Sequence, residues 1–471
     1  MEHTSRLRHI VPSWLPWQAG PRLALADRLG FLSLAALALL GLSFSDLQRL
    51  AMILLLLAFL IAAWDLRHAL LRSPLAWLIA AWLLYLTVRT VSTGLSYGWE
   101  ALDPYVDPDH YARGSALAAI LAGLWLRDDP LRTRWLLGLA LAGVLLWLAL
   151  YTDWPAIQQL SPGRWVFGDN PNRVGLVMLI TLLGLLTVGL GWATSSTSLR
   201  PTLRWILGGA SVLGAIAAFW GIWVTGSRQI LVACAVTLPV LTVLLVHRIG
   251  TDRQWKPWSM GLALVALFAA LAVSLGLVGQ VSDHASDRLE QRITSTVETV
   301  QEFWEGDGEV GTRGSSSQRL FMLTTGWEAA SERPLLGHGP INPDRWLSPV
   351  GQPHWHNIFI QTTIAFGVIG ALLFLSGFIY IASNYRRTAR KAGIDPYVML
   401  FTVTSVFALA VVLFFTIRID QAVGRWVITL VFGLMAAPLV ARWLPGTHTP
   451  QDQPASGATA LRAGRDAADH D

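Results

Sequence analysis

Apolar residues recur along the chain in blocks of about 20, separated by short polar connections. A helix crossing the hydrocarbon core of a bilayer needs about 20 largely apolar residues, so each block predicts one span. About twelve are read in this way, near 27–45, 48–64, 74–93, 113–126, 135–151, 173–192, 204–223, 228–246, 258–280, 356–383, 396–416 and 425–443. The fourth is short. The tight connections at 45–48 and 224–227 suit broken or tilted helices.

One interval breaks the pattern: residues 281–355 form the only long polar stretch between apolar blocks. Within it, Asp283 to Trp304 reads as an amphipathic helix with Leu289, Ile293, Val297, Val300 and Trp304 on one face. Glu305 to Gly311 is a glycine-rich break. A second helix starts after a serine cap near Ser316, with Leu320, Leu323, Trp327 and Ala330 on one stripe, and Pro334 ends it. Arg319 stands in its first turn, where the helix dipole disfavours a cation, which calls for a bound anion or a carboxylate partner. Beyond Pro334-Leu335-Leu336-Gly337-His338-Gly339, the tenth span opens at His356-Asn357 and carries Gly367-Val368-Ile369-Gly370.

Composition supports this reading. The chain is 53% hydrophobic and 14% charged, against about 25% charged residues in soluble domains. The net charge of +5 is carried almost wholly by arginine and fits membrane orientation rather than nucleic acid, which is not an expected partner. Cys234 is the single cysteine and rules out an intramolecular disulfide. The start of the chain lacks the compact apolar core and small-residue cleavage site of a signal peptide.

Arginine and lysine in short connections orient the bundle. Arg67 and Arg72, Arg127, Arg132 and Arg134, Arg200 and Arg204, Arg248, Arg253 and Lys256, and Arg386 to Lys391 fall on one side, taken as cytoplasmic and shared by both termini. Residues 281–355 then lie on the outer side. The predicted fold class is all-α: a polytopic membrane helical bundle with one large outer loop containing helices. Its expected parts are 1–280 with spans one to nine, 281–355, 356–443 with the last three spans, and a disordered tail over 444–471 rich in Pro, Ala, Gly and Thr.

Candidate chemistry collects on the outer face. Arg173, Arg228, Arg319, Arg418 and Arg425 stand at span ends or in the outer loop, on the side the orientation rule disfavours. Any one of them is accounted for by snorkelling or by a carboxylate such as Asp420; together they suit a diphosphate, which the planar guanidinium grips bidentately. His356 lies at the same depth, and a neutral imidazole takes a proton from a hydroxyl near pH 7. Asn357 either orients it or caps the helix. His354, His356 and His338 suggest zinc, but no acidic or cysteine partner stands at ligand spacing, so no metal or cofactor is expected. Asp103, Asp107 and Asp109, split by two prolines, read as a solvated turn. Trp346 and Trp355 are two of 23 tryptophans, a type common at membrane interfaces.

These residues resemble a known family. His356-Asn357 followed by Gly367 and Gly370, Arg228 in Gly-Ser-Arg-Gln, and Arg319 in Ser-Gln-Arg-Leu followed by Pro-Leu-Leu-Gly-x-Gly are similar to the recurrent elements of the O-antigen ligase family, within the O-antigen ligase/polymerase superfamily. The resemblance implies a metal-independent, inverting glycosyltransferase of the bacterial inner membrane. It would move O-antigen polysaccharide from undecaprenyl diphosphate to a lipid A-core sugar at the periplasmic face. It makes His356 the candidate base and Arg228 and Arg319 the candidate diphosphate clamps; Arg173, Arg418, Arg425 and His338 have only their location in their favour. Polymerases and protein O-oligosaccharyltransferases share the fold. The paired Arg–Gly spacing of polymerases occurs once, at Arg164 and Gly175, without a counterpart in 281–355. A flippase would carry polar residues through the spans; here the spans are mostly Leu, Ala and Val.

Overall fold

The computed structural model describes residues 20–102, 108–127, 129–158, 165–195, 200–251, 315–350, 355–414 and 422–444. The predicted span 258–280 and the first amphipathic helix at 283–304 lie outside the described residues. Thirteen helices carry the architecture: α1 Pro21–Leu40, α2 Ser45–Arg72, α3 Pro74–Tyr97, α4 Pro108–Arg113, α5 Ala116–Leu126, α6 Pro130–Tyr151, α7 Pro171–Ala193, α8 Pro201–Thr225, α9 Arg228–Thr251, α10 Ser315–Glu332, α11 Ile358–Lys391, α12 Pro396–Phe414 and α13 Ala422–Val440. Among the described residues, nine helices are long and apolar enough to cross a membrane. The protein is an all-α, multi-pass membrane bundle.

At the centre of the bundle, α5 and α13 lie against each other. All of α5 except Leu117 is buried, and α13 is buried along most of its length. Small residues allow the approach: a Cβ on Gly123 would stand 2.9 Å from the Ala437 backbone nitrogen, and one on Gly433 would meet the Ala122 Cβ at 2.6 Å. Between membrane helices, close backbone packing of this kind takes the place of the hydrophobic drive available in water. The fourth predicted span is corrected here. With 11 residues, α5 rises only about 16 Å, too little for a hydrocarbon layer of roughly 30 Å. It is tolerated because protein, not lipid, surrounds its ends.

The first predicted span is also corrected. The expected span starts at Asp27, yet α1 starts at Pro21 and buries Asp27 completely. Arg132 of α6, equally buried, pairs with it through two 2.7 Å hydrogen bonds, and Arg127 lies 3.8 Å from the same carboxylate. Arg127 and Arg132 therefore act as more than orientation markers. A further unpredicted feature is the π-helical turn Leu185–Gly189 inside α7.

The tenth predicted span is not one continuous membrane helix. α11 has 34 residues, about 51 Å, well beyond the roughly 30 Å of hydrocarbon. It breaks at Gly367, whose φ of 67° and ψ of −178° are not helical. The part after the break, 368–391, is long enough to cross by itself; Ile358–Phe366 forms a separate helix of about two and a half turns carrying the His356 end.

Candidate functional site

The start of α11 is built by its own sequence. Asn357 has an extended backbone and its Oδ1 accepts from the Phe359 and Ile360 amides at 2.9 and 3.1 Å, satisfying donors that a helix start leaves open. Of its two expected roles, the cap is the one seen. Two residues earlier, the Trp355 amide donates to Gln361 Oε1 at 3.1 Å. Between these two anchors His356 takes a φ of +51°, the left-handed region. Histidine is among the residues that tolerate it better than most, but it is still uncommon. Its side chain is half-buried.

The break in α11 is completed by the loop after α10. In an unbroken helix the Val368 and Ile369 amides would bond the Ile364 and Ala365 carbonyls. Here those carbonyls accept instead from His338 and Gly339, each at 2.8 Å, while Val368 donates to the Pro334 carbonyl at 2.8 Å and Ile369 to that of Leu335 at 3.3 Å. Two lost helical bonds are thus replaced by four with the loop, so the two carbonyls and two amides freed by the break are all paired. Glycine is required on both sides: a Cβ on Gly367 would lie 2.1 Å from the Leu335 carbonyl oxygen, and one on Gly337 would lie 2.5 Å from the Gly367 nitrogen. The Pro-Leu-Leu-Gly-His-Gly and Gly-Val-Ile-Gly elements, separate in the sequence, form one interlock.

His338 is buried in this interlock. Its Nε2 stands 2.9 Å from the Ala329 carbonyl and 3.7 Å from a Glu332 carboxylate oxygen, and its ring meets Trp346 edge-on at 4.8 Å. Trp346 in turn lies 6.2 Å from Trp355. Both tryptophans are buried in a small cluster with Met322, Ala329 and Ile364. Their place is in packing, and His338 acts as a strut between α10 and the loop.

Helix α10 is present, but its buried face differs from the predicted stripe. Leu323 is 44% and Trp327 74% exposed, whereas Met322, Gly326 and Ala329 face inward. A Cβ on Gly326 would meet Ile360 at 2.7 Å and Trp355 at 3.0 Å, so the small residue, not the large apolar ones, makes the contact with the His356 end of α11. The backbone of Arg319 falls in the second turn of α10, about two turns before Gly326.

A second junction joins the starts of α7 and α9. Ser227 Oγ donates to Asn172 Oδ1, and Gly175 allows Ile230 to pack against the α7 backbone. Arg173 and Arg228, the residues next in sequence, therefore begin neighbouring helices. Arg173 Nη1 bonds Asp169 Oδ1 at 3.1 Å and keeps 36% of its side chain exposed. The side chains of Arg228 and Arg319 are outside the described residues, as are Arg418, Asp420 and His354. Arg425 begins the second turn of α13 and is partly buried. Of the outer aspartates, Asp109 is gripped by Arg113 through Nε at 2.7 Å and through Nη2, and Asp103 and Asp107 are not described. No group of three or more His, Cys, Asp or Glu among the described residues is placed to hold a metal ion.

Sequence reading missed two contributors on α3. Tyr85 donates to the Phe366 carbonyl at 2.6 Å, and Arg89 Nη2 donates to that of Gly337 at 3.1 Å. Both support the interlock. Arg89 was legible in principle, because a charge inside a predicted span signals a special role.

Residues 212–375 match the O-Antigen ligase family model. The matched segment takes in Arg228, Arg319, the interlock and His356, in agreement with the resemblance carried by those motifs. No curated protein matches the chain. The matched segment runs from the second half of α8 through α9 and α10 to the first half of α11, the elements that hold the candidate base and two of the candidate clamps. An apolar cavity of about 280 Å³ lies between α6, α7, α8, α12 and α13, lined by residues including Ile180, Val188, Trp192, Leu207 and Phe401.

Proposed function

We propose that this protein is an O-antigen ligase of the bacterial inner membrane. It transfers O-antigen polysaccharide from undecaprenyl diphosphate to a sugar hydroxyl of lipid A-core, in a site facing the periplasm, with both termini in the cytoplasm. The observation that carries the reading is the family match over the segment that holds Arg228, Arg319 and His356. The left-handed backbone of His356 supports it, since strained residues held by their surroundings cluster at active sites.

In the proposed reaction the acceptor hydroxyl loses its proton to His356, and its oxygen attacks the anomeric carbon of the donor sugar. The bond from that carbon to the diphosphate oxygen breaks, with inversion, and undecaprenyl diphosphate leaves. A diphosphate leaves readily, so the main demand is compensation of charge growing on it. Arg228 and Arg319 meet that demand, with Arg173 beside Arg228. The step uses no metal ion. The neighbouring starts of α7 and α9 support a shared role for Arg173 and Arg228. The apolar cavity begins at Ile180 on α7, roughly 10 Å along the helix from Arg173, and suits the polyprenyl chain of the donor.

The deciding experiment is transfer by the purified protein with three acceptors offered in parallel: lipid A-core, a protein, and another glycan chain. Product on lipid A-core alone supports the ligase. Product mainly on glycan makes the protein a polymerase, and product on protein an oligosaccharyltransferase.

A further inference from the structure

We infer that the seam between α3 and the 333–339 loop binds the phosphate of a phosphorylated glycolipid; resting on the ligase reading, that lipid is the acceptor. Two arginines line the seam. Arg89 Nη2 donates to the Gly337 carbonyl at 3.1 Å, Nη1 reaches Ser92 Oγ only at 3.4 Å, and Nε is buried with no hydrogen-bond partner. Arg333 Nη1 donates to Tyr97 Oη at 3.2 Å, two turns further along α3. Among the described residues neither guanidinium has a carboxylate within ion-pair distance.

Such cations are costly at the margin of a membrane unless an anion joins them. Their depth matches an outer headgroup. Arg89 lies eight residues before the end of α3, roughly 12 Å along its axis, level with the α11 break through Gly337. Leu95, Leu335, Leu336, Val368 and Ile369 flank the seam and are exposed, as side chains in contact with acyl chains are. Guanidinium forks bordered by lipid-facing apolar residues suit a phosphate whose acyl chains lie alongside.

The geometry also favours a glycolipid over a simple phospholipid. From the break at Gly367 to His356, α11 rises through Ile358–Phe366, about 14 Å. A phosphate held at Arg89 and a hydroxyl presented to His356 must belong to one extended headgroup that bridges this distance.

The test uses the full-length protein in phosphatidylcholine nanodiscs, with binding of fluorescent bisphosphorylated lipid A as the readout. Wild type should bind it, and dephosphorylated lipid A and phosphatidylglycerol should compete poorly. Arg333→Gln, an exposed site that leaves the packing intact, and Arg89→Gln should each weaken binding roughly tenfold, with Arg89→Lys intermediate; Arg67→Gln at the opposite end of the bundle should not. In transfer assays the same two variants should raise the acceptor KM and leave donor binding unchanged. Equal binding of phosphorylated and dephosphorylated lipid A, or unchanged binding in both glutamine variants, overturns the inference. Displacement by inorganic phosphate or phosphatidylglycerol as effective as by lipid A also overturns it, in favour of a general anion site. Lipid A binding that needs both arginines, in a protein that transfers no glycan to lipid A-core, would keep the binding site and sink the ligase reading alone.

Discussion

Adding one methyl group at Gly367 should dismantle the interlock. The residue has φ 67° and ψ −178°, a region open in practice only to glycine, where another residue costs about 1–3 kcal/mol. The new Cβ would lie 2.1 Å from the Leu335 carbonyl oxygen and 2.5 Å from the Leu336 nitrogen. Both are backbone atoms, so no side-chain rotation relieves the clash and the loop must withdraw. Withdrawal removes the bonds that Val368 and Ile369 donate to Pro334 and Leu335, each worth about 0.5–1.5 kcal/mol net. The expected destabilisation of Gly367→Ala is therefore about 2–6 kcal/mol. Gly393 provides the control: its φ is also positive, at 65°, but nothing lies within 4 Å of its Cβ position, so Gly393→Ala should cost only the backbone part, about 1–2 kcal/mol. The assay is thermal inactivation of the purified protein, followed by glycan transfer at a temperature where both variants remain folded. Gly367→Ala should melt clearly below Gly393→Ala and lose most of its transfer, because the loop that buttresses α10 and the His356 end is displaced. Equal melting temperatures with full transfer would refute the claim that the two glycine motifs form one structural unit.

Four further outcomes are expected. Asp27→Asn should destabilise the bundle by about 3–5 kcal/mol, because buried Arg132 loses the carboxylate gripped by both its Nη atoms and, among the described carboxylates, keeps only Asp129, 4.0 Å from Nε; adding Arg132→Met should restore part of the loss in a thermal melt, and a worse double variant would contradict the pairing argument. Arg228→Ala and Arg319→Ala should each lower transfer by about 10²–10³ without unfolding the protein, and lysine should rescue poorly because it lacks the fork; near-normal rates in both alanine variants would reject the clamp. His356→Ala should abolish transfer but keep donor binding, EDTA should not inhibit the wild type, and Asn357→Ala should show a milder loss from a missing cap worth about 0.5–2 kcal/mol; restoration of an EDTA-treated enzyme by one divalent ion would point to a metal instead. On a Cys234→Ser background, Ser316→Cys should react with an impermeant thiol reagent from the periplasmic side, and labelling only after the inner membrane is breached would invert the topology.

By itself the sequence determined the membrane class, the all-α bundle, most of the spanning helices and the stop of α10 near Pro334. These depend on local quantities: apolar run length against bilayer thickness, capping groups and the missing amide of proline. The candidate residues His356, Asn357, Arg228 and Arg319 were legible for a similar reason, since each stands at or near a helix start where polarity changes abruptly. What only the tertiary structure decided were matters of partnership. The burial and pairing of Asp27 were not legible because the compensating Arg132 lies 105 positions away. The stripe on α10 was assigned from apolar residues at helical spacing, whereas the contact is made at Gly326, because close approach of two backbones needs a small side chain. The tenth span was read as continuous because Gly367 looks like any helical glycine until the carbonyls of a distant loop take the amides of the next two residues, Val368 and Ile369. Arg89 was passed over because its partner is a backbone carbonyl of that same loop. Local pattern reports which residues seek a helix or a membrane; long-range backbone pairing and charge compensation depend on distances that appear only once the chain has folded.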